Sequence, residues 1–272
     1  MNNEPTTTGI SSWGIMFSRL SGARDIITQL VRRDLSVHYR QSFLGYIWAI
    51  FLPVAIVLIF TYLANKRVLP IGEVSFAYPA YAIWSLVVWH LFSNILVASC
   101  QSLIIAGPLT TKVNFAKEAL VLSAVGQPVF DFLIKLPLVI CVFIYFDVEF
   151  SVNMLYCMAV LLLTVLMATG IGFILSILNL IYRDTEHAVN LLTTFGMFAA
   201  PILYPPPVSL PFSLVNYLNP FSPLLIATQD LISQGTINSG FVFFIYSALS
   251  ILCFFCGWRI FYLVLPHVIE RA

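Results

Sequence analysis

The side chains able to do chemistry fall in a few places. Cys253 and Cys256 form a CxxC pair, with Arg259 three residues further on. Such a pair can be a redox or metal motif, and a nearby guanidinium would lower a thiol pKa. Here it lies in an apolar run with no second ligand pair, so it reads better as two small residues on one face of a buried helix. Asp131 and Lys135 stand four apart between Pro128 and Pro137. At that spacing the charges meet on one helix face, as a structural bridge or as the start of a proton relay. His90, near Trp84 and Trp89, is the group that could extend a relay, or it is a packed core histidine. Arg183, Asp184, Glu186 and His187 crowd into five residues. They lack metal-ligand spacing and read as a solvated or docking turn. The fourth place is Arg32–Pro53, RRDLSVHYRQSFLGYIWAIFLP. A basic amphipathic segment passes through a polar elbow (Tyr39, Arg40, Gln41, Ser42) into a long apolar run. Arg40 and the Gln41–Ser42 elbow sit where a lipid-borne phosphate would enter from the inner leaflet.

No GxxxxGK[ST] loop, GxSxG, HExxH or paired CxxC frame occurs in the chain. No nucleophile, base and orienting group come together by spacing, and His187 with Asp184 or Glu186 is the closest approach to an acyltransferase-like set. The chain therefore reads as a non-enzyme with no metal or cofactor of its own. No internal repeat of the kind common in secondary transporters is visible.

The elements that must position these residues follow from composition. The 272 residues are 60% hydrophobic and 9% charged, against roughly 25% charged in soluble domains. Lipid must be the main solvent. The net charge of +1 gives no reason to expect nucleic acid. All five cysteines lie in apolar runs. Met1–Ser12 lacks the basic start and apolar core of a cleavable signal, so the first span is expected to direct insertion.

The reading is an all-α integral membrane protein, one transmembrane domain over residues 1–272. Six runs are long and apolar enough to cross a bilayer: Phe43–Ala64, Tyr78–Ile105, Gly126–Phe146, Asn153–Leu180, Ala188–Tyr204 and Ile237–Leu265. Arg19, Arg24, Arg32, Arg33, Arg40, Lys112, Lys117, Arg183 and Arg271 lie on one side, and only Lys66 and Arg67 on the other. The positive side is cytosolic, which puts both termini inside. Residues 22–39 form an amphipathic interface helix, with Asp25, Gln29, Arg32 and Ser36 in a polar stripe and Ile27, Leu30, Val31 and Leu35 opposite. The inner loop 107–122 is expected to carry a short helix capped by Asn114, with Lys117 and Glu118 exposed and Phe115, Leu120 and Val121 free to fill a groove on a partner. Between Pro201 and Pro223 fall seven of the fifteen prolines. Within 205–235, two short apolar helices are expected, Phe212–Leu218 and one capped by Ser222 and stopped by Gly235, as a re-entrant outer gate or a plain cap.

Four motifs, in order along the chain, resemble the permease subunits of ABC transporters that export polysaccharides (O-antigen, teichoic acid, capsule). They are RRDLSVHYRQSFLGYIWAIFLP, KVNFAKEALVLSAV (Lys112–Val125), NLIYRDTEHAVN (Asn179–Asn190) and PILYPPP leading to LNPFSPL (Pro201–Leu224). Where that family usually has Phe-Pro-Arg-Glu in its coupling loop, this chain has Phe115, Ala116, Lys117 and Glu118. Losing the proline leaves the helix start less fixed.

The resemblance implies a homodimer bound to two copies of a separate ABC ATPase, which holds the ATP and magnesium. It implies six spans, an interface helix and outer gate helices in a bacterial inner membrane. Lipid-linked polysaccharide, most simply O-antigen, would enter at Tyr39, Arg40, Gln41, Ser42 and Gly45. Asn114, Phe115, Lys117, Glu118, Arg183 and Asp184 would couple to the ATPase. Tyr46, Trp48, Phe51, Trp84, Trp89, Phe92, Phe195 and Phe198 are candidate channel liners, because sugar rings slide over aromatic faces. The alternatives are capsule or teichoic-acid export, or a drug- or lipid-exporting relative.

Overall fold

The computed structural model describes residues 9–40, 45–66, 72–107, 115–207, 209 and 213–270, without the side chains of 9–12, 37–40, 45–49 and 215. The described residues form helices and no strand. These are α1 (Gly9–Gly22), α2 (Arg24–Arg40), α3 (Gly45–Asn65), α4 (Tyr78–Ala106), α5 (Glu118–Ala124), α6 (Gly126–Tyr145), α7 (Leu155–Ile181), α8 (Thr185–Ala199), α9 (Ser213–Leu218), α10 (Phe221–Ser233) and α11 (Gly240–Ile269). A 3-10 turn, Val152–Met154, leads into α7, and the Ser151 hydroxyl caps it by accepting from Asn153 N at 3.2 Å.

Four stretches are long and apolar enough to cross a membrane: Tyr78–Ala106, Glu118–Tyr145, Val152–Ile181 and Gly240–Ile269. The second is α5 and α6 read through the single non-helical residue between them. The helix ends fall within a few residues of the apolar runs in the sequence except at α8. That helix starts at Thr185 and stops at Ala199, not at Tyr204. Ala200 is already extended, with φ −107° and ψ 150°, because Pro201 disfavours a helical residue before it and has no N–H to donate.

Two helices carry the packing. α4 is buried along most of its length, from Ala80 to Ala106. α7 lies against it on one side and against α11 on the other. Small residues allow the close approach: a Cβ on Gly172 would stand 2.5 Å from Ser99 Cβ, and one on Gly170 would stand 2.5 Å from the Cys253 backbone. This is the way helices pack in lipid, where close backbone contact replaces the missing hydrophobic drive.

Two apolar cores stack along the bundle. One centres on α4, α7, α10 and the Pro201–Leu203 turn. The other joins Met16, Leu30, Leu103, Leu120, Val121, Phe173, Ile177, Trp258, Phe261 and Leu265. It brings α1, α2 and α5 together with the ends of α4, α7 and α11, and so forms a foot at the end of the bundle expected to be cytosolic. Trp13 lies edge-on to Trp258 at 6.0 Å within it.

The outer segment is a correction in detail. α10 is buried from Phe221 to Leu225 and from Ala227 to Ile232, so it is a core helix and not a surface cap. Asn219 Oδ1 accepts from Phe221 N at 3.1 Å just ahead of α10, while Ser222, expected as the cap, is buried inside the helix with no side-chain cap bond. Past the end of α10, Gly235 has φ 70°, a left-handed conformation that glycine adopts without strain.

Candidate functional site

The foot is built from α2 upward. Asp25, Gln29, Arg32 and Ser36 are exposed as a stripe, while Leu30 is buried and Ile27, Val31 and Leu35 are half-buried. The apolar side of α2 meets the chain at the α5–α6 junction. Val31 sits so close to Gly126 that a Cβ there would stand 2.8 Å from its methyls. Near the end of α2, a cavity of about 390 Å³ is lined by Arg33, Asp34, Gln101, Ser102, Ser123 and Gln127, among others. Arg33 and Asp34 pair at 2.8 Å over its rim. α2 runs on to Arg40 and α3 opens at Gly45. Gln41 and Ser42 lie outside the described residues, as do the side chains of Tyr39, Arg40, Tyr46 and Trp48.

The expected coupling loop is described from Phe115. Asn114 lies outside the described residues, and α5 begins at Glu118 with Lys117 in the capping position. Two expectations are corrected here. Glu118 is buried, at 5% exposure, and Leu120 and Val121 are buried inside the chain. α5 turns its apolar face toward α2, α4 and α11, and its first residue goes in with it. Leu120 and Val121 are therefore not free to fill a partner's groove. Phe115, Ala116 and Lys117 stay half-buried at the surface. With Glu118, Arg19 and the end of α11 they line a cavity of about 400 Å³. Arg19 lies 6.0 Å from the centre of the Tyr262 ring on its wall.

Arg183 and Asp184 are exposed at the α7–α8 turn. Behind them is a network that sequence spacing did not show. Asn179 Nδ2 donates to Cys100 O at 3.0 Å, and its Oδ1 accepts from Glu186 N at 3.2 Å. Gln101 Nε2 donates to Glu186 Oε1 at 2.8 Å. One buried amide thus caps α8 and ties α7 to α4. Asn179→Ala is expected to cost about 2 kcal/mol, since it removes the acceptor of Glu186 N at the start of α8 and a buried bond between α7 and α4. A lower thermal midpoint in detergent checks this, and an unchanged midpoint counts against it.

At the opposite end, polar side chains catch the backbone of the Pro201–Tyr204 turn. The Tyr81 hydroxyl lies 2.9 Å from Pro201 O and 3.0 Å from Tyr204 O. Gln229 Nε2 donates to Ser85 Oγ at 2.8 Å and to Pro201 O at 3.1 Å. Tyr78 donates to Leu203 O at 3.0 Å, and Trp84 Nε1 donates to Thr228 Oγ1 at 2.9 Å. Asp230 is buried. Burial raises its carboxyl above the ordinary range, and bonds from Asn238 N and Nδ2 pull it back.

A family model described as ABC-2 type transporter matches residues 26–233. The chain belongs to the ABC-2 type transporter family. It is 26% identical over 224 residues to an "O-antigen export system permease protein RfbA" of Klebsiella pneumoniae, covering 82% of this chain and 85% of that one. It is 25% identical over 245 residues to a protein of the same name from Myxococcus xanthus, covering 88% of this chain and 92% of that one.

The part of this ABC-2 chain that matches runs from α2 to the end of α10 and holds the α2–α5 contact, the Asn179 network and the Pro201–Tyr204 turn. The aromatic candidates divide by location. Trp84, Trp89 and Phe92 are buried within the chain, the latter two packed on Phe221 at 5.0 and 4.9 Å. Phe51, Phe195 and Phe198 are exposed. Lys135 is buried and Asp131 half-buried on α6, and His90 is half-buried on α4. Cys253 lies half-buried at the α7–α11 crossing and Cys256 is exposed. No three His, Cys, Asp or Glu converge among the described residues.

Proposed function

We propose that this chain is the membrane subunit of an ATP-driven exporter that moves lipid-linked polysaccharide, O-antigen by preference, across the bacterial inner membrane. The observation that carries this reading is the near full-length similarity to two O-antigen export permeases. Two copies would pair about a two-fold axis, each bound to one copy of a separate ATPase that holds the ATP and magnesium. Six spans follow if α3, with 21 residues, and α8, with 15, cross beside the four long ones. Both termini then lie in the cytosol.

The foot suggests how force would travel. The exposed Arg183 and Asp184 and the cavity around Phe115–Glu118 present docking features at one end. α5 continues into α6 and carries α2 on its side. A push from the closing ATPase dimer on Phe115, Lys117 and Glu118, with Asn114 beside them, would tilt α6 and α2 together. It would thereby move the elbow at Tyr39, Arg40, Gln41, Ser42 and Gly45. The lipid-linked glycan enters there, with its phosphates against Arg40. The exposed Phe51, Phe195 and Phe198 are the aromatics best placed to line the passage, and Tyr46 and Trp48 are assigned to it from the sequence alone. Trp84, Trp89 and Phe92 would have to leave their packing to join them. Residues 205–235 form the outer gate.

Purification from the native membrane is expected to bring down an ATPase subunit. Disabling that ATPase is expected to stop surface display of the glycan, and display that continues without ATP hydrolysis overturns the reading. Arg40→Ala is expected to lower export without loss of the assembled complex. Normal export by this variant removes Arg40 from the phosphate role.

A further inference from the structure

A third cavity opens at the end of the bundle away from the foot, between α9, α10 and the start of α11. It measures about 270 Å³, close to the lower end of small-ligand sites, and has room for about one ring. Its wall combines Tyr217 and Phe243 with Asn216, Asp230 and Ser239. Tyr217 is half exposed, and Asp230 is 8% exposed. Asn216 is held in place, its Nδ2 donating to Pro207 O at 3.0 Å. On the α11 side the Tyr246 hydroxyl donates to Tyr217 O.

The carboxylate is what makes the cavity specific. Asn238 N donates to Asp230 Oδ2 at 3.0 Å and Asn238 Nδ2 donates to Oδ1 at 3.1 Å. Each carboxylate oxygen can accept two bonds, so acceptor capacity remains on the cavity side. Among the described residues the lining has no Lys, Arg or His. A half-apolar pocket with an anion at its base calls for a ligand that brings O–H donors and an apolar face. It repels phosphate. A sugar ring has the required form, with adjacent hydroxyls on its rim and C–H groups on its faces to lie against Tyr217 and Phe243.

We propose that this cavity is a saccharide subsite, in which one ring of the exported glycan lies on Tyr217 and donates hydroxyl protons to Asp230. The proposal rests on the export reading above and adds a site to it. Each ring that leaves the passage would be held briefly at the outer mouth, which would disfavour backward sliding.

The test uses the full complex in nanodiscs and oligosaccharides cut by mild acid from the host's own surface polysaccharide. Saturation-transfer NMR is expected to show transfer from protein to ring protons. Tyr217→Ala is expected to weaken binding about fivefold, and Tyr217→Phe to keep it. Ser239→Trp, an exposed position on the rim, is expected to abolish binding by filling the cavity while leaving the thermal midpoint unchanged. Absence of transfer, or transfer undiminished in both Tyr217→Ala and Ser239→Trp, overturns the subsite. Export is followed separately in the same strains. ATP-dependent export without sugar transfer removes the subsite and leaves the export reading standing. Variant-sensitive transfer with ATP-independent export supports the subsite and removes the reading of the chain as an ATP-driven exporter.

Discussion

Gly257→Val is expected to leave little folded protein. A Cβ at Gly257 would overlap the Gly170 carbonyl, and one at Gly170 would meet the backbone of Cys253 and Phe254 at 2.5 to 2.6 Å. In both cases the obstacle is main chain, which cannot swing aside as a side chain can. The helices must separate, and α7 cannot move from α11 without also losing its fit on α4. Over-packing of a tight core commonly costs about 1–3 kcal/mol, and a clash with backbone belongs at or beyond the top of that range. The loss falls on the contact that joins the last span to the rest. Reduced yield in the membrane and a much lower thermal midpoint are the expected readouts. Gly240→Ala is the control in the same helix: nothing lies within 4 Å of its Cβ, and alanine favours helix over glycine. A Gly257→Val protein that melts with the wild type would show that the α7–α11 crossing is not as close as described.

The same crossing bears on the cysteines. The Cys253 backbone lies against Gly170 at that crossing, and its thiol lies 4.0 Å from Met167 O. The CxxC spacing carried no information about this, since the partner lies 83 positions away on α7.

How much was legible follows the range of each interaction. The stripe of Asp25, Gln29, Arg32 and Ser36 was visible because amphipathicity is a local pattern with a helical period. The long apolar runs were visible because lipid imposes a length. The Ala200 break was present in Pro201, but the apolar run through Tyr204 hid it. What sequence did not show was burial by a third element. α10 is apolar enough to be a cap or a core helix, and periodicity cannot separate the two when apolar residues lie all round. Glu118 looks like a surface residue at the start of a short helix, and the turn of α5 toward α2 and α11 buries it. Gln101 and Glu186 are 85 positions apart, and Tyr81 and Pro201 are 120 apart. No spacing rule reaches that far. For the site itself, the foot was marked by its motifs, while the cavity bearing Asp230 and Tyr217 was not, because three separate helices build it.

The network around Pro201 supports a quantitative expectation. Pro201 O accepts from the Tyr81 hydroxyl and from Gln229 Nε2. Tyr81→Phe leaves Tyr204 O without that donor but keeps Gln229 on Pro201 O. Gln229→Leu keeps Tyr81 on Pro201 O. Each single change therefore leaves that buried carbonyl bonded, and each is expected to cost about 1 kcal/mol. The double variant leaves it with neither donor. A buried unsatisfied group costs about 1–3 kcal/mol, so the pair is expected to lose more than the sum of its parts. A double-mutant cycle measured by thermal or denaturant unfolding in detergent reads this coupling directly. Additive losses would mean that the two side chains do not share the carbonyl. Coupling would show that the Pro201–Tyr204 turn is pinned by α4 and α10 jointly, so that moving α10 away from α4 must first break bonds at this carbonyl.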